Sequence, residues 1–316
     1  MPQSAAPEKR ESLPPGVWGV VATPFQGSTL DVDLDSLSDL VERYETIGAT
    51  GLTVLGVFGE AAALTPEERR QVLEIAVECT ELPLVVGITA LATRPAIEEI
   101  RAAQDVAGQR LAAVMVQANS AKPEVVSAHL DAIHRATGTK VVLQDYPLAS
   151  GVAISTAALI DVVAANPCVI AIKAEAPPTG VAIAELHAGT GVSVFGGLGG
   201  QGLLDELLAG AAGAMTGFSY PEALIACVLA WREQGYAAAA GQLVPYLPLI
   251  NFEQQAKVAL AIRKECLRER GWIKDPGVRA PAAGFPENLR HAMEVHLREA
   301  ATALDLNRGL APAGRN

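Results

Sequence analysis

The chain has 316 residues, of which 50% are hydrophobic and 19% charged, and its formal net charge is −11 at pH 7. This composition supports a large buried core and excludes a disordered or fibrous protein. The acidic balance argues against nucleic acid or an anionic membrane as a partner, because phosphate groups would be repelled.

The first segment, residues 1–15, is polar and proline-rich, and we predict a flexible leader there. It lacks the apolar stretch of a secretory signal, and no window of the sequence has the length and apolar character of a membrane span. The four cysteines are scattered without a C-x-x-C pair, which favours reduced thiols over a disulfide framework or a zinc site. These features predict a cytoplasmic protein.

Short apolar runs alternate with longer segments of helical period along most of the chain. Their continuous apolar character is typical of parallel strands that are covered by helices on both sides. Eight such units between residues 16 and 235 predict a (β/α)8 TIM barrel rather than an open sheet. The predicted strands are Val17–Ala22, Gly51–Leu55, Leu84–Ile88, Ala112–Gln117, Lys140–Gln144, Val169–Lys173, Val192–Gly196 and Gly213–Thr216.

Helix start signals separate the predicted strands. Asp35 precedes the predicted helix Ser36–Ile47, and Thr65 stands before Pro66 and two glutamates, as expected of a capped first turn. From Tyr236 onward the strand pattern stops. A C-terminal three-helix region, residues 236–307, is expected there as an appendage to the barrel, with helices at Ala237–Ile250, Glu253–Arg270 and Glu287–Leu306 and a frayed tail at 308–316.

Catalytic groups of a parallel barrel lie at the carboxyl ends of its strands. Among the polar residues that close the predicted strands, only Lys173 carries an amine. Burial disfavours a charged ammonium, so a lysine in this setting is expected to supply a free amine that can attack a ketone and form an iminium. The alternative is a structural lysine paired with a carboxylate such as Glu175.

No metal or other cofactor is predicted. The five histidines fall within predicted helices, so none closes a strand where a barrel metal site would need it. The glycine-rich run from Gly196 to Gly202 follows the seventh strand, where backbone amides could hold a carboxylate or a hydroxyl. A tight turn that lets the backbone pass close to its neighbours is the alternative interpretation of this run.

Several motifs together resemble the dihydrodipicolinate synthase and N-acetylneuraminate lyase family of class I lyases. They are Val20-Val21-Ala22-Thr23-Pro24-Phe25, Gly56-x-x-Gly59-Glu60, Leu64-Thr65-x-Glu67-Glu68-Arg69, Lys122-Pro123 and Ile172-Lys173. The resemblance implies that Lys173 is a Schiff-base lysine. It also implies a homo-oligomer, either a tetramer or a dimer.

The sequence departs from that family at polar positions. Val57 and Phe58 stand where family members that make dihydrodipicolinate have two threonines, and Gln144-Asp145-Tyr146-Pro147 replaces their Tyr-Asn-x-Pro. Asn119 and Ser120 replace a tyrosine pair, and Ala149 replaces a substrate-binding arginine. These differences argue against dihydrodipicolinate synthesis and against cleavage of sialic acid.

Two further strings, Gln144 to Gly151 and Lys173-x-Glu175-x-Pro177, resemble the branch that contains 2-keto-3-deoxy-pentonate (L-arabonate-type) dehydratases. This resemblance implies an iminium on Lys173, loss of a proton from C3, elimination of hydroxide and hydrolysis to the ketone. Gln144 and Asp145 are the further predicted catalytic residues, because they could orient hydroxyls or a water that serves as base.

We expect the substrate to contact the turn after the second strand and the ends of the seventh and eighth strands. Phe58 would make the pocket drier, while Glu60 would bind either substrate or its own turn. The predicted substrate-binding residues are Val57, Phe58, Gly59, Glu60, Gly197, Met215 and Thr216.

Two alternatives to a dehydratase stay open. A pyruvate-dependent aldolase or retro-aldolase would use Lys173 in the same way and would differ by having pyruvate as a substrate or product. A non-catalytic binding or regulatory protein would form no covalent adduct.

Overall fold

The computed structural model describes residues 10–310, with side chains described up to residue 306. The first nine residues of the predicted leader and residues 311–316 of the predicted tail lie outside the described residues. None of the described helices is both long enough and apolar enough to cross a membrane.

Eight parallel strands close into a barrel in the order of the chain, which confirms the predicted fold class. All but the third, fourth and seventh strands are buried at every position, as expected when side chains pack both inside the barrel and under the outer helices. The strands are β1 Gly16–Val20, β2 Gly51–Val54, β3 Leu84–Gly87, β4 Leu111–Gln117, β5 Val141–Asp145, β6 Val169–Ala174, β7 Ser193–Gly196 and β8 Gly213–Thr216.

Closure brings β1 against β8, with Val17 opposite Ala214, and it sets β2 across the barrel from β6. The register also puts Gln144 of β5 directly beside Lys173 of β6. A short antiparallel hairpin, Phe25–Gln26 with Asp31–Val32, follows β1 outside the barrel. The carboxyl ends of the eight strands therefore form one mouth, at which all the strand-end residues meet.

Within residues 10–310, one helix follows each strand of the barrel: α1 Leu34–Thr46, α2 Pro66–Glu78, α3 Thr93–Ala107, α4 Pro123–Thr137, α5 Thr156–Ala165, α6 Thr179–Thr190, α7 Leu203–Leu208 and α8 Pro221–Gln234. A further short helix, Pro147–Ser150, lies between β5 and α5. Thr65 and Glu68 form a reciprocal capping box at the start of α2. Helix α1 begins before the predicted Ser36, because Asp33 rather than Asp35 caps it by accepting the Ser36 N–H.

The C-terminal region is helical, but the first predicted helix is divided. It consists of α9 Tyr236–Leu243 and α10 Leu247–Glu253, joined by the 3-10 turn Val244–Tyr246. Pro245 and Pro248 explain the division, because proline donates no backbone hydrogen bond. The next helix, α11 Ala259–Glu269, begins six residues later than predicted, and α12 Arg290–Leu310 follows.

The described part of the leader contacts the barrel at the amino-terminal ends of the strands. Leu13 is buried, and its N–H donates to the carbonyl of Ile170 near the start of β6. Arg10 donates to the carbonyls of Val163 and Asn166 at the end of α5. These contacts close the barrel floor, opposite the mouth that holds the candidate site.

Candidate active site

Lys173 lies in β6, close to its carboxyl end, and is only 7% exposed. Its ammonium nitrogen is 3.1 Å from Oε2 of Glu175, which is also buried. The ion pair named as the structural alternative is therefore present. Because Lys173 and Glu175 lie two residues apart at the end of the strand, their side chains can point to the same face.

Glu175 is the centre of a small hydrogen-bond network. The Gln144 amide donates to Glu175 Oε2 at 2.7 Å, so Gln144 and Lys173 share one carboxylate oxygen. The other oxygen, Oε1, accepts the backbone N–H of Leu198 at 3.4 Å. The network holds the carboxylate beside the amine through residues of β5, β6 and the turn after β7.

Asp145 is buried next to Gln144, but the alternation along β5 places its side chain on the opposite face of the strand. Its Oδ1 has no hydrogen-bond partner among the described residues. Burial, with a further contribution from the charge of Glu175, raises the pKa of the Asp145 carboxyl to about 6. The structure thus brings Gln144 to Lys173 but leaves Asp145 behind the strand.

The glycine-rich run follows β7 and packs closely against two glutamates. A Cβ on Gly197 would lie 2.2 Å from Glu175 Oε1, so only glycine leaves room for that carboxylate. A Cβ on Gly196 would lie 1.8 Å from Glu206 Oε2 on the other side. The run is therefore a tight turn in which the backbone passes close to its neighbours, and this close approach positions the Glu175 carboxylate beside Lys173.

Glu206 of α7 is 1% exposed and lies behind this run. Its Oε1 accepts the hydroxyl proton of Thr179 at 2.8 Å, while Oε2 has no partner among the described residues. Burial raises the pKa of the Glu206 carboxyl to about 7. It therefore carries a proton for much of the time at neutral pH.

The end of β8 supports the glycine run from the other side. The Thr216 hydroxyl accepts the Gly199 N–H at 2.8 Å, which ties the two strand ends together. Met215 is fully buried in the strand and lies beside Trp18 of β1. Thr216 therefore acts on the site indirectly, because it holds the glycine-rich run in place. The Met215 side chain packs in the core.

The turn after β2 forms the wall across the mouth from Lys173. Val57 is 53% exposed and lines a cavity at this mouth. The Gly59 carbonyl accepts the Thr23 hydroxyl proton at 2.7 Å, which fixes the turn to the end of β1. The Phe58 ring packs on Gly217, where a Cβ would lie 2.3 Å from Cδ1 of the ring.

Glu60 of the same turn bonds to the C-terminal region. Its Oε1 lies 2.5 Å from the ammonium of Lys264 in α11, and its Oε2 accepts the backbone N–H of Arg279 at 2.9 Å. Lys264 is fully buried, and burial lowers its pKa. These contacts favour a structural role for Glu60. Its carboxylate binds the C-terminal region, whereas the sequence predicted a bond within its own turn or to the substrate.

A cavity of about 740 Å³ lies at the mouth over the ends of β2 to β5. Gln144 lines this cavity and donates a hydrogen bond to the same Glu175 oxygen that Lys173 contacts. Lys173 is not itself among the lining residues and lies beyond Gln144 and Glu175. Gln117 contributes an amide whose Oε1 has no partner among the described residues. The lining also includes Val57, Glu60, Thr89, Met115, Leu148, Ala149, Lys257 and Arg279.

Two carboxylates near Lys173 were not predicted as site residues. Glu175 was considered only as a pairing partner of the lysine, and Glu206 lies in α7 without a recognisable motif. The Lys-x-Glu spacing could have predicted the position of Glu175, because residues two apart at the end of a strand can point to the same face. Among residues 10–306, no group of three or more histidine, cysteine, aspartate or glutamate side chains is arranged to hold a metal ion.

The fold is a closed (β/α)8 barrel with a buried lysine at its mouth, an arrangement found in barrel enzymes. Similarity to known proteins identifies the family. The model of the dihydrodipicolinate synthetase family matches residues 14–300, and the chain belongs to this family, whose members are lyases. This confirms the family resemblance that the motifs indicated.

Individual relatives agree with that assignment. The chain is 30% identical to the L-2-keto-3-deoxyarabonate dehydratase of Azospirillum brasilense over 99% of its own length and 98% of the relative. It is 33% identical to a 4-hydroxy-tetrahydrodipicolinate synthase of Phenylobacterium zucineum over 46% of the chain and 49% of the relative. The crystal structure of dihydrodipicolinate synthase from Rhodopseudomonas palustris superposes with a TM-score of 0.84 at 26% identity, covering 92% and 99% of the two chains.

Proposed function

We propose that this protein is a Schiff-base lyase that dehydrates a 2-keto-3-deoxy sugar acid through an iminium on Lys173. The observation that carries the proposal is the buried amine of Lys173 beside Glu175 Oε2, at the mouth of the barrel and next to Gln144. Full-length similarity to a dehydratase of such an acid supports the choice of reaction.

The ion pair offers a way to generate the free amine. Transfer of one proton from the Lys173 ammonium to Glu175 Oε2, 3.1 Å away, leaves a neutral amine and a carboxylic acid in a poorly hydrated site. The amine attacks C2 of the substrate ketone. The resulting carbinolamine loses its oxygen as water, which takes up the proton from Glu175, and the iminium forms.

The regenerated Glu175 carboxylate then acts on the iminium. It removes a proton from C3, whose acidity the iminium raises, and the electron pair forms an enamine. The enamine expels the C4 hydroxyl, which leaves as water with the proton that Glu175 took from C3. Hydrolysis of the unsaturated iminium releases the product and restores Lys173.

Gln144 has a defined place in this scheme. Its amide donates to the oxygen that exchanges protons, which fixes the direction of the carboxylate. Its position on the cavity wall also suits it to contact a substrate hydroxyl. Gln117, with its unsatisfied amide oxygen, lines the same cavity and can accept a hydrogen bond from a hydroxyl further along the sugar acid.

Borohydride trapping tests the proposal. The wild-type protein is incubated with pyruvate or with a panel of 2-keto-3-deoxy acids, reduced, digested and analysed by mass spectrometry. We expect a covalent adduct on the peptide that contains Lys173 and none in Lys173→Ala. Labelling at another residue, or undiminished labelling of Lys173→Ala, would remove the assignment.

An aldolase is the second candidate, because relatives named as 4-hydroxy-tetrahydrodipicolinate synthases align with about half of the chain. It would use the same adduct and would be recognised by pyruvate as a substrate or product. A non-catalytic protein would keep the Lys173–Glu175 pair intact and give no adduct with any acid of the panel. The same experiment with product analysis separates all three.

We also propose a homo-oligomer, a tetramer or a dimer, acting on a small-molecule substrate. Large apolar side chains are exposed on the described surface away from the cavity, including Leu208 at 60% and Val181 at 57%. Apolar side chains of this size at a surface are compatible with contacts between subunits. Sedimentation velocity over a range of concentrations measures the state.

A further inference from the structure

Arg263 of α11 is a cation with an incomplete set of partners. Its side chain is only 12% exposed, and its Nε has no hydrogen-bond partner among the described residues. A buried guanidinium normally satisfies its donors with carboxylates or carbonyls, because the loss of hydration is otherwise costly. The arrangement therefore points to an acceptor that is not part of the described chain.

The acid nearest to Arg263 gives little compensation. Glu253 Oε2 is 3.8 Å from Nε, too far for a hydrogen bond, and both Glu253 oxygens already accept from Ser219. Burial raises the pKa of the Glu253 carboxyl to about 7, which weakens the negative charge that this group offers to Arg263. Much of the charge on Arg263 is then left for another anion.

The guanidinium lies over the mouth of the barrel. Its carbon is 5.4 Å from the centre of the Phe58 ring, which belongs to the wall opposite Lys173. On the other side, Nη2 is 3.7 Å from the position of a Cβ on Gly199, in the glycine-rich run. The guanidinium thus lies between the β2 turn and the glycine-rich run after β7, and a carboxylate placed between these two walls would come within its reach.

The other cations at the mouth are less suitable for a carboxylate. Arg279 uses its guanidinium on Glu68 and on the carbonyls of Leu30 and Ala63. Lys257 borders the cavity but is exposed, so water competes with any anion that it binds. The side chains of Val57 and Phe58, on the facing turn, offer no donor.

We propose that Arg263 binds the carboxylate of the 2-oxo acid substrate and so selects anionic substrates for Lys173. The inference rests on the proposed Schiff-base function and adds the group that recognises the acid. Arginine suits this task because its planar fork can donate two parallel hydrogen bonds to a carboxylate. The C-terminal region would then complete the substrate site of the barrel.

The test compares pyruvate with pyruvamide, which has the same ketone but no charge, as probes in borohydride trapping. In Arg263→Gln we expect the pyruvate concentration for half-maximal labelling to rise roughly 10- to 100-fold, the effect of losing a charged hydrogen-bonded pair. Labelling by pyruvamide should change little. Arg263→Lys, which keeps the charge without the fork, should fall between wild type and Arg263→Gln.

Two matched variants serve as controls. Arg268→Gln removes an arginine from the same helix, where it pairs with Glu265 and Glu269, and should leave both probes unchanged. Lys257→Gln removes the exposed cation that lines the cavity and tests it as the competing site for the carboxylate. If Lys257→Gln and not Arg263→Gln selectively weakens pyruvate labelling, the carboxylate binds at Lys257 and the proposal is overturned.

The outcomes separate this inference from the proposed function. If the wild-type protein gives no adduct with any 2-oxo acid, the function itself fails and the inference fails with it. If the wild-type adduct forms but Arg263→Gln binds pyruvate as the wild type does, only the inference fails. Should the variants not fold, wild-type protein and phenylglyoxal still decide: pyruvate must protect Arg263 from modification, and unchanged modification overturns the proposal.

Discussion

At the scale of single residues, Glu175 and Asp145 compete for the role of the base. Glu175 contacts the Lys173 ammonium, whereas the pleat of β5 turns the Asp145 side chain away from Gln144 and the cavity. From the sequence alone, Asp145 was a predicted catalytic residue and Glu175 a pairing partner of Lys173. The geometry favours Glu175 as the base and leaves Asp145 without a contact to Lys173.

Neutral replacements distinguish the two acids. We expect Glu175→Gln to lower kcat roughly 100- to 1000-fold, within the usual range for the loss of a general acid–base group. Asp145→Asn, which leaves the Glu175 network intact, should lower kcat less than roughly tenfold. Steady-state kinetics on the substrate found by the trapping panel measures both, and a larger loss in Asp145→Asn would return the role to Asp145.

At the scale of structural elements, Arg279 joins the C-terminal region to the barrel. Its guanidinium forms a two-pronged pair with Glu68 at the start of α2, at 2.6 and 2.8 Å, and also donates to the carbonyls of Leu30 and Ala63. The Arg279 side chain hydrogen bond is the main reason why the pKa of Glu68 is lowered to about 2. One side chain thus fastens three segments at the mouth.

Removal of this link should destabilise the fold. We expect Arg279→Gln to lower the free energy of unfolding by about 2 kcal/mol, since several partly buried hydrogen bonds that involve charged groups are lost together. The control is Arg70→Gln, which breaks a surface ion pair with Glu74 on the same helix, α2, and should have little effect. Urea unfolding monitored by circular dichroism compares them, and equal losses would contradict a special role for Arg279.

At the scale of the whole molecule, buried carboxyls make stability depend on pH. Burial raises the pKa of Asp145 to about 6 and those of Glu206 and Glu253 to about 7. Because the folded pKa lies above the unfolded value, the folded state binds more protons between about pH 4 and 7. These groups contribute stability that is fully present below about pH 4 and is lost as the pH rises through 6 to 7.

Glu206→Gln isolates one of these contributions. The free energy of unfolding of Glu206→Gln relative to wild type should increase by about 2 to 3 kcal/mol from pH 5 to pH 8, because the wild type must ionise a buried acid over this range. Asp205→Asn, at the exposed neighbouring position of α7, should show no such trend. Urea titrations at the two pH values provide the measurement, and parallel curves for Glu206→Gln and wild type would reject the assignment.

The sequence by itself determined the barrel and the position of its lysine. Strands that are buried on both faces must be apolar throughout, so apolar runs such as Val169–Ile172 are recognisable in the sequence. The strand β6 begins at Val169, as predicted. The capping pattern at Thr65 likewise located the start of α2. Such features depend on neighbouring residues, whose spacing the chain fixes directly.

Only the tertiary structure decided which side chains complete the site. Glu60 meets Lys264 across 204 residues of chain, and Arg263 reaches the Phe58 ring from a helix outside the eight barrel units. Both contacts depend on how α11 packs over the barrel mouth. No local pattern encodes this packing, because it results from the summed contacts of segments that are distant in sequence.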